Sequence, residues 1–297
     1  MRRPPGCRAS SPTDESGEMA EELGVASVNG IRVHYRISGS GPALVLLHGW
    51  PQTGLCWHRI APDLAATHTV IAPDLRGYGR TDKPVGGYDK RTMAADIAGL
   101  LEHLGVRTAA VVGHDRGARV AHRWALDRPD QVTKLAVLDV IPTREVWRLM
   151  NADIARRYFH WLFHLQPDLP ELLVGQNISG YLRYFFEHWT VNRHGLTEEA
   201  VDEYIRAFSV PGALRAGFDD YRAAELDAEH DDADAERSLR QPVLALWGSG
   251  SFLEKLPALD IWRKYADDVQ GGPIPDCGHF IAEERPEVLV DRLRAFL

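Results

Sequence analysis

Short runs of consecutive apolar residues, separated by helical stretches, are the feature that most limits how this chain can fold. Residues 43–47, 70–72, 109–112 and 135–140 are predicted strands. Apolar residues recur at helical spacing over 93–104, and 116–125 is the next predicted helix. Strands without polar alternation are buried on both faces, which is typical of parallel sheets. We therefore predict an α/β fold, with a mostly parallel sheet covered by helices on both faces.

The alternation of strands and helices stops at Pro142 and resumes near residue 243. Residues 142–240 are rich in aromatic side chains and contain no convincing buried strand. Residues 243–247 form the next predicted strand, and 283–297 a closing helix. We predict a core of residues 25–141 and 241–297, an inserted helical cap over 142–240, and a disordered tail over 1–24.

Composition excludes several classes of function. The formal net charge of −8 over 297 residues disfavours nucleic-acid binding, which needs clustered Lys and Arg. The apolar runs are far shorter than the roughly 20 residues that cross a bilayer. The three cysteines form no C-x-x-C pattern and no secretory signal is recognisable, so we expect a cytoplasmic protein without a metal site or cofactor. In so acidic a chain, any anion-binding site has to be local.

A strand, tight turn and helix at residues 111–117 predict a nucleophile elbow. The motif is G-x-D-x-G, with Asp115 where the G-x-S-x-G elbow has serine. Glycines at 113 and 117 would let the strand and the helix approach closely around a strained turn. The alternative is that Asp115 simply caps an ordinary helix.

Two residues further along the chain favour the catalytic interpretation. Asp139 ends the next apolar strand, and His279 lies in the loop before the last helix. Nucleophile, acid and histidine in this order are the arrangement expected at the carboxyl ends of the strands. The other common position for the acid follows 243–247, where no carboxylate occurs before Glu254. We therefore predict Asp115, Asp139 and His279 as a catalytic triad.

An aspartate nucleophile restricts the chemistry. A carboxylate can displace a leaving group at a saturated carbon, which forms an ester on Asp115. Water activated by His279 would then hydrolyse that ester. The backbone N–H groups of Arg116 and Trp50 are the predicted oxyanion hole. Halides and strained epoxides both remain open as substrates at this point.

Arg116 and Arg119 favour an anionic substrate. Both lie in the first turn of the helix that follows Asp115, where a cation opposes the helix dipole. Together they could hold a carboxylate and keep Asp115 ionised. The alternative is that one of them packs, or pairs with a surface acid.

Several motifs carry a more specific resemblance. They are 113–120 (GHDRGARV), 48–52 (HGWPQ), 134–139 (KLAVLD), 160–161 (HW), 220–223 (DYRA) and 268–271 (DVQG). From about residue 31 to the C-terminus, the chain resembles the fluoroacetate dehalogenases, haloacetate dehalogenases of the α/β-hydrolase fold. Trp50 departs from that family, which usually has Phe at this position, although His-Gly-Trp-Pro also occurs in epoxide hydrolases.

The resemblance implies roles for further residues. Arg116 and Arg119 would bind the substrate carboxylate, and His160, Trp161 and Tyr221 would cradle the halide. The implied reaction converts fluoroacetate or chloroacetate to glycolate and halide, in a homodimer.

Two rival functions stay open. An epoxide hydrolase would aim two cap tyrosines at the epoxide oxygen, from Tyr181, Tyr184 and Tyr221, although such enzymes usually carry Trp at position 116. A noncatalytic ligand-binding member of the fold would not need the intact triad.

Overall fold

An eight-stranded sheet forms the centre of the computed structural model, which describes residues 21–297. The strands are β1 (Glu22–Val28), β2 (Ile31–Ser38), β3 (Ala43–Leu47), β4 (Thr69–Pro73), β5 (Ala109–His114), β6 (Val132–Leu138), β7 (Val243–Gly248) and β8 (Val269–Ile274). Their spatial order is β1-β2-β4-β3-β5-β6-β7-β8. Strands β3 to β8 pair in parallel, whereas β1 and β2 pair antiparallel at one edge.

The antiparallel edge begins as a hairpin. Asn29 and Gly30 both have positive φ, 48° and 78°, as the tight turn between β1 and β2 requires. Strand β1 starts at Glu22, which pairs with Ile37. The predicted tail over 1–24 is therefore wrong at its last three residues, because pairing with β2 orders them. Its first twenty residues lie outside the described part of the chain.

The parallel part of the sheet carries the buried apolar strands. Every residue of β5 and β7 is buried, which requires cover on both faces of the sheet. The predicted α/β architecture with a mostly parallel sheet is thus confirmed.

Helices connect and cover the strands. They are α1 (Ala61–Ala65), α2 (Lys90–His103), α3 (Arg116–Asp127), α4 (Thr143–Leu149), α5 (Ala152–Arg157), α6 (Phe159–His164), α7 (Leu169–Val174), α8 (Ile178–Trp189), α9 (Glu198–Phe208), α10 (Ala213–Arg222), α11 (Ala224–Ala233), α12 (Ala258–Trp262), α13 (Ile281–Glu284) and α14 (Pro286–Phe296). Short 3-10 helices occur at Gly54–Trp57 and Phe252–Lys255. Over residues 21–297, none of these helices has the length and apolar character to span a bilayer.

Residues 142–240, here called the cap segment, contain α4 to α11 and lie between β6 and β7. Its buried side chains, such as Trp161, Phe185 and Tyr204, belong to the same apolar cluster as the strands. Trp189 of the cap segment accepts from the N–H of His279, and Asp220 pairs with Arg116. Because His279 follows β8 and Arg116 follows β5, the inner face of the cap segment lies against the carboxyl edge of the sheet. The chain leaves β5, β6 and β8 at this edge, just before Asp115, Asp139 and His279.

Candidate active site

Asp115 occupies a strained turn between β5 and α3. Its backbone angles are φ 47° and ψ −116°, which a non-glycine residue rarely adopts. A side chain at Gly113 would overlap the backbone of Ala118, and one at Gly117 would overlap the carbonyl oxygens of Leu47 and His48. Strand and helix therefore approach as closely as the predicted elbow requires. An ordinary N-cap does not explain this geometry, because the Asp115 side chain makes no capping hydrogen bond to α3.

The turn after β3 reaches the nucleophile candidate through its backbone. The N–H of Trp50 donates to Oδ1 of Asp115 at 3.0 Å. Gly49 is packed so closely that a Cβ there would lie 2.5 Å from Cβ of Asp115. The Trp50 N–H is therefore placed to stabilise negative charge on an Asp115 oxygen, as the sequence predicts for one half of the oxyanion hole.

Asp139 and His279 meet across the sheet edge. Oδ2 of Asp139 lies 2.6 Å from Nδ1 of His279, and the N–H of Gly248 donates to Asp139 Oδ1 at 3.3 Å. The other imidazole nitrogen, Nε2, is buried and has no hydrogen-bond partner among the described residues. Since Asp139 holds Nδ1, Nε2 remains available to accept a proton from water.

The charges in the site favour the protonation states that this chemistry needs. Burial raises the pKa of Asp115, but the nearby His279, His114, Arg116 and Arg119 outweigh it and leave the pKa below its ordinary value. Burial lowers the pKa of His279, whereas the hydrogen bond and charge of Asp139 raise it, and the net shift is upward. Asp115 is therefore ionised, as a nucleophile has to be.

A cavity of about 360 Å³ opens at this edge of the sheet. Asp115, Asp139 and His279 line it. Among its described lining residues these two aspartates are the only carboxylates, whereas four side chains are cationic: Arg119, Arg156, Arg157 and Lys255. An acidic protein thus has a cavity in which cations predominate.

The two predicted arginines of the carboxylate clamp differ in their surroundings. Arg116 is fully buried and its Nε donates to Asp220 Oδ1 at 2.9 Å. Asp220 also accepts from Nζ of Lys90 at 2.5 Å and from the Tyr78 hydroxyl at 2.6 Å. Arg116 is not among the cavity-lining residues, and only its Nη1 is buried without a partner. Its charge is therefore already balanced within the protein.

Arg119 lines the cavity and lacks such a counterion. Its Nη1 donates to the Ile141 carbonyl at 3.0 Å and to the Thr143 hydroxyl at 2.9 Å. Within residues 21–297, no carboxylate lies within 4.0 Å of its guanidinium, although its exposed fraction is only 5%. Burial and the neighbouring charge of Arg116 lower its pKa. A buried guanidinium without an ion pair marks a place for an anion.

The residues predicted to hold a halide lie together but not all on the cavity wall. His160 and Trp161 line the cavity. Burial lowers the pKa of His160 to about 3, so its ring is neutral, and its Nδ1 is buried without a partner among the described residues. Tyr221 is buried and does not line the cavity; its ring packs 5.7 Å from that of Trp161 and 4.4 Å from the Arg116 guanidinium carbon.

Trp50, the residue that departs from the dehalogenase motif, is not among the cavity-lining residues. Its indole is fully buried between cap helices, with ring centroids 4.9 Å from Phe185 and 6.0 Å from His160. Of the tyrosines considered for an epoxide site, Tyr184 lines the cavity. The Tyr181 hydroxyl instead lies 2.6 Å from Nε2 of His164.

Sequence reasoning missed the ionic network behind Arg116. Asp220 belongs to the DYRA motif beside Tyr221, which the sequence analysis identified. Nothing in that motif indicated that Asp220 is the counterion of Arg116. Lys90 and Tyr78 come from distant parts of the chain, and no local pattern connects them with Asp220.

Known proteins are similar to this chain in sequence and in fold. Residues 42–286 match a family model described as the alpha/beta hydrolase fold. The chain is 40% identical to a soluble epoxide hydrolase from Corynebacterium sp. (strain C12), over 91% of this chain and 95% of that protein. It is 37% identical to a fluoroacetate dehalogenase from Burkholderia sp, over 93% of each chain. The structure of the epoxide hydrolase CorEH without ligand superposes with a TM-score of 0.87 at 37% identity, covering 93% of this chain and 98% of that one.

Proposed function

The chain belongs to the α/β-hydrolase family, and we propose that within it the chain is a haloacetate dehalogenase, which converts fluoroacetate or chloroacetate to glycolate and halide. The fold and the hydrolase class rest on the family match. The substrate is inferred from the charges and donors around Asp115.

In the proposed first step, a carboxylate oxygen of Asp115 attacks the carbon that bears the halogen. The carbon–halogen bond breaks, halide leaves with the electron pair, and Asp115 becomes an ester of the substrate. In the second step, Nε2 of His279 takes a proton from water, and the water oxygen attacks the Asp115 carbonyl carbon. Collapse of the tetrahedral intermediate returns that proton to the glycolate oxygen and leaves the second water proton on the Asp115 carboxyl, which releases it to solvent and becomes the carboxylate again. The Trp50 N–H donates to an Asp115 oxygen, and it would stabilise the negative charge on that oxygen in the tetrahedral intermediate.

The observation that carries the proposal is that buried Arg119 has no carboxylate within ion-pair distance among the described residues, although the more distant charge of Asp115 acts on it. A neutral substrate such as an epoxide would leave this guanidinium without an ion pair. A haloacetate would bring its carboxylate to it and make a charge-assisted hydrogen bond. Arg156, Arg157 and Lys255 on the cavity lining add to the attraction for an anion.

The donors for the departing halide are supplied by the cap segment. Neutral His160 has one ring N–H, and Trp161 has its indole N–H. Burial raises the pKa of the Tyr221 hydroxyl, so it stays protonated, but Tyr221 lies behind the cavity wall and the halide would have to reach past His160 and Trp161 to meet it. Fluoride leaves water reluctantly, and a water-poor pocket with several donors offsets part of that cost.

Epoxide hydrolysis is the second candidate, because it uses the same triad and the cavity volume favours it. A haloacetate fills only a small part of about 360 Å³. Tyr158 and Tyr184 also line the cavity and could polarise an epoxide oxygen. The epoxide hydrolase from Corynebacterium sp. is 40% identical to this chain, slightly more than the fluoroacetate dehalogenase at 37%.

The two candidates are separated by product analysis. The protein is incubated with fluoroacetate, chloroacetate and styrene oxide in parallel, and halide, glycolate and diol are measured. We expect halide and glycolate in equal amounts, and no activity in Asp115→Asn. Diol from styrene oxide without halide from either acid would overturn the dehalogenase proposal.

A further inference from the structure

Glu284 is a buried carboxylate to which neither the family match nor the triad assigns a function. It ends α13, five residues after His279, and its exposed fraction is 1%. Within the described residues no Lys, Arg or His lies within 4.0 Å of its carboxylate to form an ion pair. A buried charge of this kind has to be stabilised by hydrogen bonds.

Four backbone N–H groups donate to Glu284. Oε2 accepts from Val191 at 2.8 Å, Asn192 at 2.9 Å and Gly278 at 2.9 Å. Oε1 accepts from Phe280 at 3.0 Å. A carboxylate held by several N–H groups is fixed in position, because the donors approach the group from more than one direction.

Two of these donors flank His279 in the chain. Gly278 and Phe280 are held by Glu284, and the N–H of His279 itself donates to the carbonyl of Trp189 at 2.8 Å. The carbonyl of His279 lies 2.8 Å from Nε2 of His114. Three consecutive peptide N–H groups, at 278, 279 and 280, are therefore fixed, and with them the position from which the imidazole reaches Asp139.

The other two donors belong to the cap segment. Val191 and Asn192 lie two and three residues after the end of α8, and the Asn192 side chain donates to the Glu284 carbonyl at 2.8 Å. Glu284 thus joins the histidine loop to the part of the cap segment that contributes Trp189 to the cavity. Glu284 is not among the cavity-lining residues, and its carboxylate makes no hydrogen bond to Asp115.

We propose that Glu284 is a positioning residue for His279, and that it acts in the hydrolysis of the Asp115 ester and not in its formation. The proposal rests on the ester mechanism, which haloacetate and epoxide substrates share. The first step needs Asp115 and the leaving-group donors, whereas the second needs Nε2 of His279 within reach of a water. A displaced histidine loop therefore slows the second step selectively. The negative charge of Glu284 is also among the causes that raise the pKa of His279.

The test compares Glu284→Gln with two controls from the same part of the chain. Glu283→Gln removes an adjacent buried carboxyl whose partners are Gln52 and Tyr204, not residues 278–280. Glu287→Gln makes the same change at an exposed residue. With chloroacetate as the probe, quenched-flow mass spectrometry measures the fraction of protein that carries the ester, and chloride release is followed in parallel.

We expect Glu284→Gln to release about one chloride per active site in a fast burst, then turn over on the order of 10- to 100-fold more slowly than the unaltered protein, with the ester accumulating. The controls should show no such accumulation. The NMR titration of the His279 ring should move to lower pH in Glu284→Gln only. A folded Glu284→Gln protein with unchanged ester lifetime and unchanged titration would overturn the proposal.

Two further variants separate the possible failures. His279→Ala should accumulate the ester; if it does and Glu284→Gln does not, the positioning role is wrong and the proposed function stands. If His279→Ala forms no ester from chloroacetate or from styrene oxide, the ester mechanism fails, and the positioning role fails with it. If Glu284→Gln does not fold, Glu284→Asp, which keeps the charge but shortens its reach, is assayed in the same way. A folded Glu284→Asp protein with unchanged ester lifetime also overturns the proposal.

Discussion

Oδ2 of Asp139 and Nδ1 of His279 lie 2.6 Å apart, although 140 positions separate the two residues in the chain. Asp139 has a positive φ of 51°, which turns its side chain out of the strand end toward the histidine loop. This pair fixes which imidazole nitrogen faces the cavity. It also makes Asp139 the largest influence that raises the pKa of His279.

The pH dependence of ester hydrolysis should depend on this pair. His279 acts as a base only when neutral, so the rate should rise as pH increases through its pKa, which lies above 6.5. Asp139→Asn removes the main raising influence. We expect the acid limb to move to lower pH and the rate to fall on the order of 100-fold or more. Single-turnover measurements between pH 5 and pH 9 check this; an unmoved limb would contradict the assigned role of Asp139.

Arg119 should determine selectivity for charged substrates. Arg119→Met replaces the buried guanidinium with an apolar chain, and we expect kcat/KM for chloroacetate to fall by about 10- to 100-fold, as loss of a charged hydrogen bond predicts. The neutral analogue chloroacetamide should be affected much less. The matched control is Arg156→Met, which removes a cation that is 78% exposed at the cavity lining and should change either value less than about threefold. Equal losses for both substrates in Arg119→Met would argue against a carboxylate site.

The ionic network behind Arg116 should contribute to stability. Asp220→Asn leaves the buried charges of Arg116 and Lys90 with one carboxylate fewer, and burial makes such a loss costly. We expect the free energy of unfolding to fall by about 3 kcal/mol in urea titrations. Asp219→Asn, in the adjacent position, breaks a partly exposed pair with Arg222 and should cost less than about 1 kcal/mol. Similar losses in the two variants would show that the buried network around Asp220 contributes no more to the free energy of unfolding than the partly exposed pair of Asp219 and Arg222.

The sequence predicted those features that depend on local pattern. The elbow at Asp115 follows from two glycines around a strand end, and the parallel sheet from apolar runs without alternation. The partners of Asp115 followed from chain order. Contacts that join distant segments could not be derived in this way, because nothing in the residues around Lys90 specifies contact with Asp220. For the same reason, the contrast between paired Arg116 and unpaired Arg119 required the structure.

Glu283 should make stability decrease as pH rises from 4.5 to about 8. Its carboxyl is buried between Gln52 and Tyr204, and burial raises its pKa to about 8. The folded protein therefore keeps a proton that the unfolded chain loses above its ordinary pKa of 4.5. The resulting stabilisation is complete below pH 4.5 and is lost as pH rises toward 8, by at most about 1.4 kcal/mol per pH unit.

Glu283→Gln, which cannot ionise, should lose less stability than the unaltered protein between pH 6 and pH 8. Urea titrations at both pH values measure this difference, with Glu287→Gln as the exposed control. Parallel pH dependences in all three proteins would show that Glu283 is ionised in the folded state at pH 6.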